Sequence, residues 1–179
     1  LEGLLGGPQD ERRLQLALLY HNVAENLAQE NRFNEALSFT KRALRLIGPF
    51  RKRVMKGVLT VLSLHGWLLA RLDNPVEAEQ HLREAITLVH TVPLNKRKET
   101  DWLRGLANRL YSDLGQLLAN PEQFQEVRKA TKDPLALANS YEEAGMALFD
   151  EFRDQGETDD EHTLAEASVF TQRALELVR

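Results

Sequence analysis

Proline placement constrains this chain more than any other feature. Gly48-Pro49, Asn74-Pro75, Val92-Pro93, Asn120-Pro121 and Asp133-Pro134 each fall between stretches in which apolar residues recur at helical spacing. Proline cannot continue a helix, because it lacks an amide proton and its ring meets the preceding turn, yet it suits the first turn. Asn or Asp just before it is placed to cap the exposed amides. Between the breaks the sequence is rich in Leu, Ala, Glu, Arg and Gln, which favour helix. No segment alternates apolar and polar residues as a half-buried strand does. The expectation is an all-α chain.

Short connections force consecutive helices to run antiparallel, so the chain reads as a string of four helical hairpins. They span about 10–47, 50–91, 95–132 and 134–179, and split at Glu30 to Arg32, at Asp73-Asn74, at Asn120 and at the polar run Asp154 to Asp160. Residues 1–9, with Gly3, Gly6, Gly7 and Pro8, read as a flexible leader. The chain lacks an initiator Met and its helical pattern runs to Arg179, which suggests a segment of a longer protein.

The second helices repeat. Glu35-Ala36-Leu37-Ser38-Phe39-Thr40-Lys41-Arg42-Ala43-Leu44-Arg45-Leu46 matches Glu166 to Leu177 at eight of twelve positions, and Ala78 and Ala85 carry the same skeleton. Two alanines seven residues apart lie on nearly one helix face, where small side chains admit a close neighbour. The first helices repeat in step: Tyr20, Val23, Ala24 and Leu27; Leu62, His65, Gly66 and Leu69; Tyr111, Leu114, Gly115 and Leu118; Tyr141, Ala144, Gly145 and Leu148.

That pattern, followed by Ala-x6-Ala in the partner helix, resembles the tetratricopeptide repeat. The resemblance implies a right-handed superhelical α-solenoid of four antiparallel pairs, with a concave face lined by the first helices. Ala36 to Ala78 is 42 residues where about 34 is usual, a spacing similar to kinesin-light-chain-like repeats. The third pair departs from the pattern, placing Val127 and Pro134 where alanines belong, and the fourth has a longer internal loop. An irregular third pair can bend the stack or redirect the fourth.

The resemblance also implies a function, the binding of a protein or peptide on the concave face. Carried over by position, the groove candidates are His21, Asn22, Glu25 and Gln29, then Ser63, Trp67 and Arg71, then Ser112 and Gln116, then Glu142, Met146 and Phe149. The family's Lys/Asn/Arg clamp for a C-terminal carboxylate is replaced here by His21, Glu25 and Leu64, which disfavours a chaperone-tail adaptor. The alternative is the sensor region of a multidomain transcriptional or signalling regulator, binding a small effector or its own neighbouring domain.

Charge adds a polarity. The net charge is −4, but seven basic residues and no acidic ones lie between Lys41 and Lys56, against ten acidic residues and Arg153 between Ser140 and Glu166. Arg51, Lys52, Arg53 and Lys56 are therefore a candidate basic surface, read first as a solvated face with positive residues at a helix end and second as a face that meets an acidic partner or a neighbouring domain; opposed basic and acidic ends also leave self-association open. No aromatic residues interleave the cluster as a nucleic-acid stacking platform requires, so nucleic acid is disfavoured as a partner. Val58 to Leu72 is the most apolar stretch, too short at 15 residues for the roughly 20 that span a membrane.

Chemistry is sparse. None of the five histidines has a zinc-binding spacing, and no cysteine, phosphate loop or nucleophile elbow is present. His21 and Glu25, and Glu77 and His81, sit one turn apart and read as helix-surface pairs. Asp159-Asp160-Glu161-His162 lacks the spaced ligands of a calcium loop. The expectation is a non-enzymatic binding module with no cofactor and no metal, in the cytoplasm, since zero Cys suits an intracellular setting.

Overall fold

A computed structural model describes residues 8–52, 56–93, 101–153 and 161–179. Among them every regular element is helical: α1 (Pro8–Gln29), α2 (Phe33–Ile47), a short 3-10 turn (Gly48–Phe50), α3 (Lys56–Arg71), α4 (Pro75–His90), α5 (Asp101–Ala119), α6 (Pro121–Ala130), α7 (Pro134–Arg153) and α8 (Glu161–Val178). Three helices begin on the prolines that mark breaks in the sequence, at Pro75, Pro121 and Pro134. Asn120 caps α6 by accepting from the amides of Glu122 and Gln123, and Asp133 accepts from that of Ala136. Asn74 was expected to do the same and does not; its side chain makes no capping bond.

Two boundaries differ from expectation. Pro8 and Gln9 belong to α1 rather than to a leader, while residues 1–7 lie outside the described residues. Residues 50–52, expected in the third helix, are not α-helical: Gly48-Pro49-Phe50 winds into the tighter 3-10 turn and buries Phe50, a turn follows, and residues 53–55 lie outside the described residues. The linker Asp154 to Asp160 also falls outside the described residues, as do residues 94–100.

The first two hairpins turn by the same device. Asn31 and Asp73, 42 positions apart, both have positive φ, 59° and 56°. In each, the next amide reaches back five residues, Arg32 to the Leu27 carbonyl and Asn74 to that of Leu69, both at 2.9 Å. The turn residue itself bonds three back, to Ala28 and Ala70. This bond pair closes a helix around a left-handed residue.

Packing inside the hairpins rests on the small positions. Ala24, Ala36, Ala43, Ala78 and Ala85 are fully buried. A Cβ added at Gly66 would lie 2.8 Å from Leu82 Cγ, and one at Gly145 would lie 3.2 Å from Phe170 Cβ. Helix α3 packs on both α1 and α2, and α5 on both α3 and α4. The last pair docks otherwise: α8, its second helix, packs on α5, and α7 makes a smaller contact there. Arg173 of α8 explains the seat, donating to the Leu118 carbonyl at 2.8 Å with its guanidinium 4.5 Å over the ring of buried Phe124.

Candidate functional site

Helix α3 contacts both α1 and α5, and residues of the three helices line an open concavity of about 440 Å³. α1 contributes His21, Glu25, Ala28 and Gln29; α3 contributes Thr60, Ser63, Leu64 and Trp67; α5 contributes Leu106, Arg109 and Asp113. His21, Glu25, Gln29, Ser63 and Trp67 were candidates from the sequence, and one site holds them all. Arg109 and Asp113 were missed. They sit one turn apart on α5, and that spacing of opposite charges was the available signal.

The walls combine apolar surface with a few charges. His21 Nε2 lies 3.9 Å from a Glu25 carboxylate oxygen, while its Nδ1 is buried without a hydrogen bond. Burial lowers the His21 pKa from its usual value; Arg109 adds to this and Glu25 opposes it. The ring is therefore neutral at pH 7, with one nitrogen lacking a protein partner. Trp67 is half-buried and held on two sides, by the Phe33 ring edge-on at 5.7 Å and the Arg71 guanidinium 5.2 Å from its centroid.

Arg71 and Gln116 line a smaller adjoining concavity of about 170 Å³, which shares Trp67 and Asp113 with the first. Ser112 lines neither and accepts from the Gln116 amide at 3.3 Å; Asn22 is exposed on α1 outside both. Glu142 and Met146 are exposed on α7, apart from the concavities, and the Phe149 side chain lies outside the described residues.

The basic cluster is divided. Arg51 is bound within the chain, its Nε 2.6 Å from a Glu84 oxygen and another nitrogen 2.8 Å from His81 Nδ1. Lys52 is exposed, Lys56 is exposed with its ammonium 5.9 Å from the Trp102 centroid, and Arg53 lies outside the described residues. His81 is partly buried and not a surface side chain: Glu77 acts on it electrostatically, while its ring packs edge-on against His65 at 4.8 Å.

A second concavity, of about 460 Å³, opens between α4, α6 and the start of α7. One wall is Glu79, buried and bonded to Arg83 Nε at 2.7 Å; burial raises its pKa against the pull of Arg83. The Tyr141 hydroxyl is buried beside that carboxyl, and burial together with the Glu79 charge raises its pKa.

Among the described residues no three His, Asp or Glu side chains group as metal ligands, and no helix is long and apolar enough to cross a membrane. Asp159 and Asp160, and the side chains of Glu161 and His162, fall outside the described residues. Comparison with protein-family models, with curated proteins and with solved structures finds no match to this chain.

Proposed function

We propose that the chain is a tetratricopeptide-like α-solenoid that binds a peptide or a segment of a partner protein in the groove formed by α1, α3 and α5. The observation that carries this reading is the concavity itself: three consecutive first helices supply one wall each, with Trp67, Leu64 and Leu106 as apolar surface and Glu25, Arg109 and Asp113 as charges. Burying an aromatic anchor beside a few oriented polar groups is how interfaces concentrate their binding energy. We assign the segment a binding role, not a catalytic one, and an intracellular setting in keeping with its lack of Cys.

The test is selection of peptides from a random display library on the chain with Trp102→Phe, which leaves Trp67 as the only tryptophan. Selected peptides should change Trp67 emission and compete with one another. They should lose about tenfold or more in affinity on Arg109→Ala or Trp67→Ala, the size of effect expected of a central contact. Peptides that bind these variants as well as the parent would place the interaction elsewhere and overturn the reading.

A volume of about 440 Å³ also lies in the range of small-molecule sites, roughly 300–1,000 Å³. It favours the sensor alternative if small ligands, and not peptides, protect Trp67 from quenching.

A further inference from the structure

The two ends of the stack expose the two halves of the contact that joins hairpins inside it. On α1, Leu16, Leu19 and Val23 form an apolar stripe, 40%, 60% and 40% exposed. Their register equivalents in α3 are Val58, Val61 and His65, 42 residues on, and none is more than 2% exposed. In α5 the equivalents Ala107, Leu110 and Leu114 are likewise buried. One of these positions packs visibly on the preceding hairpin: His65 Nδ1 lies 2.7 Å from Thr40 Oγ1 of α2.

The opposite end mirrors this. On α8, Thr171 is exposed, and Leu175 and Val178 are 51% and 54% exposed. The repeat aligns them with Leu82, Ile86 and Val89 on α4, all of which are buried. It also aligns Thr171 with Thr40 and Val178 with Ile47, both fully buried, and Leu175 with Leu44, which is partly buried. Capping repeats of a stack normally turn a polar face outward; among the described residues neither of these faces is polar.

We propose that a second copy of this chain docks head to tail, the α1 stripe of one copy seating on the α8 face of the next. Val23 of one copy then lies over Thr171 of the other, as His65 lies over Thr40 within the chain. Charge favours this pairing over head against head. The attraction is one of encounter and not of the docked faces: α2 in the first hairpin exposes Lys41, Arg42 and Arg45, whereas α7 in the last hairpin exposes Glu142 and Glu143, so unlike ends steer together. The contact uses two different patches, so it extends into open chains unless a rotation closes it. It does not depend on what the groove binds.

The test uses the full chain and two double variants, Leu19→Asp with Val23→Asp, and Leu175→Asp with Val178→Asp. All four side chains are exposed, so both variants should melt as the wild type does. A variant that melts lower is replaced by the same pair changed to Ser. In sedimentation velocity the wild type should form species that lengthen with concentration. Each variant alone should be a monomer, and an equimolar mixture should give a one-to-one dimer through the intact face that each retains. A wild type that stays monomeric up to about 1 mM would assign the open faces to other hairpins and overturn the proposal. So would self-association of either variant alone, which would require a symmetric contact.

Discussion

The Nδ1 of His65 lies 2.7 Å from the hydroxyl oxygen of Thr40, and that hydroxyl donates to the Leu37 carbonyl at 3.0 Å. Its one proton being committed, Thr40 accepts from the ring, so neutral His65 carries its proton on Nδ1. Burial pushes the His65 pKa down to about 3, helped by His81 of α4, by Lys41 of α2 and by Arg51 after it. Between that value and its ordinary 6.5, the unfolded chain binds a proton that the folded chain does not. His65 therefore supports the fold fully above pH 6.5, and that support is lost as the pH falls toward 3. At pH 5 the loss is about 2 kcal/mol. His81 shifts in the same direction. Glu79, raised by burial, works oppositely, losing stability as the pH rises above 4.5. Denaturant unfolding of wild type and His65→Leu from pH 4 to 7 separates these terms, since only the wild type should show the His65 slope. Equal slopes would remove His65 as the cause.

Two helix glycines should respond to alanine with opposite signs. At Gly105 of α5 an added Cβ meets nothing within 4 Å, so Gly105→Ala gains about 0.5–1 kcal/mol from helix propensity. At Gly66 the same Cβ falls 2.8 Å from Leu82 Cγ and 3.3 Å from the Ala78 carbonyl. Overpacking costs about 1–3 kcal/mol, so Gly66→Ala should be net destabilising. Thermal melts of the two variants check the contrast, and a stabilising Gly66→Ala would mean that α3 and α4 are less tightly apposed.

The hairpin turns give a matched pair. Asn31 and Asp73 hold positive φ, which costs an ordinary L-residue about 1–2 kcal/mol and a glycine nothing. Asn31→Ala and Asp73→Ala should each lower stability by about 1 kcal/mol, while the glycine variants hold or exceed the wild-type melting temperature. Equal effects of Ala and Gly at either site would show that the side chain, not the backbone, sets the turn.

The sequence made the helices legible because proline acts locally: α4, α6 and α7 begin on prolines whatever surrounds them. Small residues in the hairpins were legible too, since close approach leaves a periodic mark in Ala36, Ala43, Ala78 and Ala85. The lining of the main concavity was only half legible. Carrying Ser63 and Trp67 over at equal register led to Ser112 and Gln116, yet the main concavity uses Arg109 and Asp113. Successive first helices supply it from progressively earlier turns, Glu25 and Gln29 near the end of α1, Ser63 and Trp67 in α3, Leu106 and Arg109 early in α5. The concavity thus crosses the three helices obliquely, a relation between helices that no single helix encodes. The docking of α8 on α5 through Arg173 is equally long-range.

Arg51 tests whether the basic cluster acts as surface or as structure. Its guanidinium grips both Glu84 oxygens and donates to His81 Nδ1, joining the turn after α2 to α4 of the next pair. The partners are about a third exposed, so solvent screening holds the contribution to about 1 kcal/mol. Arg51→Lys keeps the charge but loses the two-pronged geometry, and should cost nearly as much as Arg51→Ala. Lys52→Ala, at an exposed site, should stay within about 0.5 kcal/mol of wild type. Because the Arg51 charge helps to lower the His81 pKa, Arg51→Ala should also raise the His81 titration midpoint followed by NMR, while Arg51→Lys moves it less. A silent Arg51→Lys in the melts would mean that charge alone matters at this position, as it would for a surface that meets an acidic partner.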